Sequence, residues 1–166
     1  MKRLVFLTIL LSETLAPLER GQVYVPSEDE VLLTYINQTR KRYGLSLKMV
    51  HRLIEVESKW NYAGRGRAVG LNRVMSNRQA YGLMQVQVPT AKDILNDSTI
   101  TSERLMSDHL LNVRAGIKYL AWLLELYDGD LELALISYNR GPTRVGKILA
   151  SGRFPPRSYA KLIMED

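Results

Sequence analysis

The chain has 166 residues, 46% of them hydrophobic and 24% charged, which excludes wholesale disorder and suits one globular domain with short ends. It has no cysteine and only two histidines, His51 and His109, so disulfide frameworks, thiolate nucleophiles and thiolate or His-rich metal sites are excluded. The net charge of +6 favours an anionic partner, whether nucleic acid, a membrane surface or a polymer such as cell wall, without choosing among them.

In chain order, the first segment is "MKRLVFLTILLSETLAPLERG". Lys2 and Arg3 followed by the apolar run Leu4 to Leu11 have the form of a secretory signal, and the run is too short to span a bilayer as a helix. The cleavage site is poor, because Thr14-Leu15-Ala16 is followed by Pro17. The alternative is an apolar N-terminal segment packed on the domain. We assign residues 1–20 as the signal or N-terminal segment and 21–166 as one domain. Removing residues 1–16 takes away two cations and one anion, so the basic character belongs to the domain.

Helix follows helix from there. Ser27 to Glu30 forms a capping box, and the helix it opens should run to about Tyr43 and stop at Gly44, with Arg40, Lys41 and Arg42 in its last turn. Ser46 can cap a second helix through Lys59. The stretch from Asn61 to Pro89, rich in glycine and arginine, reads as loop with a short strand near Gly82 to Val88. Thr90 to Asp93 is a further capping box. Val113, Ile117, Leu120 and Leu124 mark one apolar stripe of a long helix ending near Asp128-Gly129. Asp130 can cap the next helix, through Tyr138 and Asn139, which Gly141-Pro142 stops. A shorter helix to about Ala150, the extended break at Pro155-Pro156 and a last helix from Ser158 to Met164 complete a mainly α fold.

The second helix holds two glutamates, Glu55 and Glu57. At helical spacing Val50, Leu53 and Ile54 share a face, and Glu57 falls roughly 20° from Val50 on it. Glu55 points the opposite way, beside Lys48, Arg52 and Lys59, on a face expected to be solvated. Burial without a cation raises a carboxyl pKa, which is what a general acid at neutral pH needs. The helix by itself does not choose between that role and a Glu57 that escapes to solvent or pairs with an arginine.

Four further motifs bear on the choice: Glu57-Ser58; Gly82-Leu83-Met84-Gln85 with Pro89-Thr90-Ala91; Asn112, Gly116, Tyr119 and Leu120; and Ala134, Tyr138-Asn139 and Gly141-Pro142. In this order they resemble the lytic transglycosylases of the soluble (SLT), lysozyme-like type, over residues 46–150. The resemblance implies a lysozyme-like domain of the α+β superfamily, helical and bundle-like, with a substrate cleft and a small β element near 82–88. It implies Glu57 as the catalytic acid and base, Gln85 and Met84 lining the cleft, Tyr138 with its hydroxyl near the carboxyl, and Asn139 supporting that turn. Ser76, six residues before Gly82, matches a serine near the substrate. Each has a plainer reading: Tyr138 and Met84 as core, Gln85 as a partner for turn backbone, Asn139 as a helix end.

The chain also departs from the family pattern. Glu57 and Gly82 lie 25 positions apart, farther than is usual, and the extra residues bring Arg65, Arg67 and Arg73, which either meet anionic wall or form a solvated loop. Gln79 stands where the family has glycine. The closing segment is short, although Tyr159-Ala160 fits loosely.

A glycosidase that uses water needs two carboxylates. Asp93, Asp97, Glu103 and Asp108 sit near helix ends, where capping or solvation explains them. The resemblance implies a reaction that needs one: cleavage of the bond between N-acetylmuramic acid and N-acetylglucosamine, the sugar's own 6-hydroxyl closing a 1,6-anhydro end. No metal or cofactor is required. The rivals are a hydrolytic muramidase resembling goose-type lysozyme and a non-catalytic wall-binding or nucleic-acid module. The expected partner is the peptidoglycan strand in the periplasm or cell envelope, with nucleic acid not expected. A small enzyme of this kind could serve a secretion or conjugation machine, a phage particle or wall turnover.

Overall fold

The computed structural model describes residues 28–59 and 79–165. The proposed signal, the Ser27 cap, Ser76 and the arginine-rich stretch all lie outside those residues. Met1–Val31 and Leu32–Asp166 group as separate units, and the fold below is that of the second, with α1 the helix at its start.

Helix α1 (Glu28–Arg42) buries Leu32 and Ile36, one turn apart. Its end is fixed by Arg40, whose guanidinium donates to Asn37 Oδ1 (2.8 and 3.0 Å) and to the Leu45 carbonyl (3.2 Å). Gly44, at φ +65°, turns the chain out. Helix α2 (Leu47–Ser58) starts at Ser46, whose hydroxyl accepts from the Met49 amide. Met49, Val50, Leu53 and Ile54 face the core, each large side chain contributing about 1.5–3 kcal/mol of burial. Lys59, left-handed at φ 54°, ends it by donating its amide to the Glu55 carbonyl.

The single strand expected near 82–88 is instead a hairpin of two very short strands, β1 (Ala80–Tyr81) and β2 (Val86–Gln87), paired antiparallel as Ala80 with Gln87 and Tyr81 with Val86. Gly82 (φ +74°) and Gln85 (φ +48°) bend the chain between them, a conformation no continuous strand admits. Helix α3 (Val88–Leu95) begins two residues before the expected Thr90 cap, with Gln87 at the N-cap and no side chain capping it. Pro89 is no barrier there, because the first turn has no intrahelical partner for its missing N–H. Thr101 caps α4 (Ser102–Ser107), a helix that sequence periodicity had not indicated.

Asp108 and Asp130 cap α5 (His109–Leu126) and α6 (Leu131–Arg140) by accepting from the Leu111 and Leu133 amides. Pro142 opens α7 (Pro142–Ala150), and α8 (Ser158–Met164) closes the domain. The long α5 packs against α3, α4 and α6, while α8 lies against both α6 and α2. The domain is mainly α, with its small hairpin set against α5. That arrangement brings the end of α2, the hairpin turn, α6 and α8 into one neighbourhood.

Candidate active site

Glu57 sits in the last turn of α2, half-buried, in line with Val50, Leu53 and Ile54. Its carboxyl is pushed up to about 7 by burial, against the opposing pull of a hydrogen bond from Tyr159. The Tyr159 hydroxyl, on α8, donates to Glu57 Oε1. Burial and the neighbouring carboxyl in turn push the Tyr159 hydroxyl far up, so it stays a protonated donor. Among the described residues no arginine takes this role, and Glu57 is half-buried and does not escape to solvent. Glu55 is half-buried rather than fully solvated. The neighbouring Arg52 reaches across to α8, its Nε donating to the Leu162 carbonyl at 2.8 Å.

Tyr138, on α6, approaches the same carboxyl. Burial first, then Glu57, then Tyr119 raise its hydroxyl well above the ordinary range. That hydroxyl donates to the Met84 carbonyl at 2.8 Å, tying α6 to the hairpin turn. Met84, expected beside the substrate, is fully buried. Its side chain lies against Gly116 of α5, where even a methyl group would come within 2.6 Å of Met84 Cβ. Met84 therefore supports the turn from beneath.

The turn itself hangs on Asn112. This fully buried amide accepts from the Met84 N–H (2.8 Å) and donates to the carbonyls of Tyr81 (2.7 Å) and Leu105 (3.1 Å). A side chain at Gly82 would run into that amide, so the residue must be glycine on grounds of space as well as φ. The fixed spacing of Asn112 and Gly116, one helical turn apart, is thus explained by what the turn needs from α5.

Gln85 ends the turn in a left-handed conformation, which costs a non-glycine residue about 1 kcal/mol. Its Nε2 donates to the Gly82 carbonyl at 2.9 Å, and its Oε1 is buried with no hydrogen-bond partner among the described residues. Asn139 is exposed at the next-to-last position of α6. The structure therefore gathers Glu57, Tyr138 and the Met84-Gln85 turn.

Tyr159 was missed as a site residue. Its only sequence signal was the Tyr159-Ala160 pair at the start of the last helix, 102 positions from Glu57. Among the described residues no cluster of histidine, aspartate and glutamate could hold a metal, and no helix is long and apolar enough to cross a membrane.

The fold is similar to the X-ray structure of an inactive mutant of the lytic transglycosylase Slt from Pseudomonas aeruginosa, with a TM-score of 0.54 and 25% identity. The match covers 70% of this chain and 18% of that one, so the chain corresponds to a small part of the larger protein. The Transglycosylase SLT domain model matches residues 34–159, three-quarters of the length and all of the site described above. The chain belongs to the transglycosylase SLT domain family.

Proposed function

We propose that this domain is a peptidoglycan lytic transglycosylase in which Glu57 serves first as acid and then as base. The observation that carries the reading is a buried carboxyl with a pKa near 7, held by a tyrosine that cannot give up its own proton at that pH. Such a group is protonated in a large fraction of molecules at neutral pH and can still act as a carboxylate a moment later.

The steps follow from the chemistry. Protonated Glu57 gives its proton to the oxygen bridging N-acetylmuramic acid and N-acetylglucosamine, and the C1–O bond breaks. The muramic acid 6-hydroxyl closes on C1, and the Glu57 carboxylate takes the hydroxyl's proton. The carboxyl is restored, no water is consumed, and the product ends in a 1,6-anhydro sugar. An internal nucleophile has the advantage of proximity over water. Tyr159 keeps the carboxyl oriented and, by stabilising the carboxylate left when the proton is given up, supports the first step. Tyr138 holds the turn that carries Gln85. The envelope location and the periplasm accord with such a substrate, as does service to a secretion or conjugation machine, a phage particle or wall turnover.

The test is mass spectrometry of fragments released from peptidoglycan by the wild-type protein, Glu57→Gln and Glu55→Gln. We expect anhydro-muropeptides from the wild type and Glu55→Gln, and a loss of about 10³-fold in Glu57→Gln, the scale of general acid–base catalysis. Hydrated reducing ends would identify a hydrolase. Binding without fragments, from a folded wild-type protein, would identify a wall-binding module.

A further inference from the structure

Trp122 is 40% exposed on α5, an exposure that one of the largest apolar side chains does not need for packing alone. Its ring stacks on Tyr119, with centroids 5.9 Å and planes 14° apart. Tyr119 in turn lies 5.3 Å from Tyr138 at 45°, and Tyr138 is the tyrosine bonded to the Met84 carbonyl and influenced by Glu57. Three aromatic rings thus run in contact from the neighbourhood of the carboxyl to the surface. The helix geometry agrees: Asn112, Gly116 and Tyr119 fall at i, i+4 and i+7, so Tyr119 continues the face of α5 that carries the hairpin turn. Trp122 stands at the margin of that face. Leu126, one turn on and 48% exposed, extends the apolar surface.

A pyranose ring offers an apolar face of C–H groups that packs flat against an aromatic ring, and sugar sites pair such platforms with a few placed polar groups. Here the polar group, Glu57, lies at one end of the run beside Tyr138, and the exposed ring lies at the other. Stacking on Tyr119 also holds Trp122 in place before any ligand arrives, which reduces the ordering cost of binding. We propose that Trp122, backed by Tyr119, is a sugar-stacking subsite for a pyranose of the glycan strand away from the bond that is cut. The proposal rests on the peptidoglycan reading above.

The chain has one other tryptophan, Trp60, so Glu57→Gln combined with Trp60→Phe leaves Trp122 as the only indole. This protein is titrated with soluble, uncrosslinked glycan strands while both heat and tryptophan emission are recorded. The subsite predicts an emission change that saturates with the calorimetric Kd. It also predicts that adding Trp122→Leu weakens binding about 5- to 10-fold and that Trp122→Tyr restores most of it, the scale of one stacking contact. In the active enzyme, Trp122→Leu should raise KM by a similar factor and leave kcat within about twofold, as loss of uniform binding requires. Calorimetric binding with silent Trp122 emission overturns the subsite and leaves the peptidoglycan reading standing. So does unchanged affinity in a folded Trp122→Leu protein; if that variant does not fold, the emission result decides. Absence of any calorimetric binding overturns the peptidoglycan reading, and the subsite falls with it.

Discussion

The hairpin turn and the carboxyl it faces are held in different ways. Asn112 ties the turn at Met84, the preceding strand at Tyr81 and helix α4 at Leu105 through three buried hydrogen bonds, with Gly82 and Gly116 clearing space for the amide and for Met84. Glu57 is met by the hydroxyl of Tyr159, from a short helix at the far end of the chain, and α2 is joined to that helix by Arg52 at the surface. The turn is locked by geometry with little room to adjust. The carboxyl is poised by a balance of burial against one donor. A rigid frame fixes where substrate lies, and a lightly held acid can change its protonation twice in one cycle.

The largest test of this contrast is Asn112→Ala. It strands the Met84 N–H and the carbonyls of Tyr81 and Leu105 in the core, at roughly 1–3 kcal/mol for each group left unpaired. A total loss of about 4 kcal/mol is expected in denaturant unfolding. A loss under 1 kcal/mol would mean that the turn is held by its own packing.

Next in size is the effect of the carboxyl on stability. The folded pKa of Glu57 is about 7 against an ordinary 4.5, so between those values the folded state binds the proton more tightly than the unfolded one. Stability from this group is present at low pH and is lost as pH rises from about 4.5 to 7. Relative to Glu57→Gln, the wild type should therefore lose up to about 3 kcal/mol between pH 4.5 and pH 8. Unfolding of the two proteins across that range reads the difference directly. Parallel stability profiles would show that the carboxyl titrates normally.

The same division explains what could be read in advance. Ser46 and Asp130 announced their helices, because each cap is a local contact made within three residues. The face that carries Glu57 followed from spacing alone. The turn motif was legible because Gly82, Asn112 and Gly116 each have a duty that only one or two residue types can perform. Thr90 misled, since a capping pattern says nothing of a proline that can enter the first turn ahead of it. Helix α4 has six residues, too few for a period to show. The strand near 82–88 was expected as one piece, because left-handed Gln85 leaves no signal of its own. Tyr159 was the deepest gap: its partner lies 102 positions away, and a lone tyrosine on a short helix looks like packing.

Tyr159→Phe sharpens the comparison with a smaller effect. The hydroxyl favours the charged carboxylate and so holds the Glu57 pKa down. Without it the pKa should rise, and the alkaline limb of kcat/KM should move to higher pH by up to about one unit. The maximal rate should fall about tenfold, because the proposed acid loses the donor that orients it and stabilises the carboxylate it leaves. A limb that moves to lower pH would reverse the role given to Tyr159.

The smallest effect should come from Arg52→Ala. Its Nε donates to the Leu162 carbonyl at an exposed position, one of the last-turn carbonyls of α8 that has no partner within its helix. Removing it should cost under about 1 kcal/mol, since water can take over the carbonyl. Yet this contact joins the helix bearing Glu57 to the helix bearing Tyr159, 110 positions apart in sequence. A small displacement of α8 lengthens the tyrosine hydrogen bond before it disturbs the core residues Ala160 and Ile163. The alkaline limb should therefore shift in the same direction as in Tyr159→Phe, by a fraction of a pH unit, while Asn112 and the turn are untouched. An unchanged limb would mean that burial of Ala160 and Ile163 alone positions Tyr159. The carboxyl side would then be as firmly framed as the turn, and the contrast between the two would disappear.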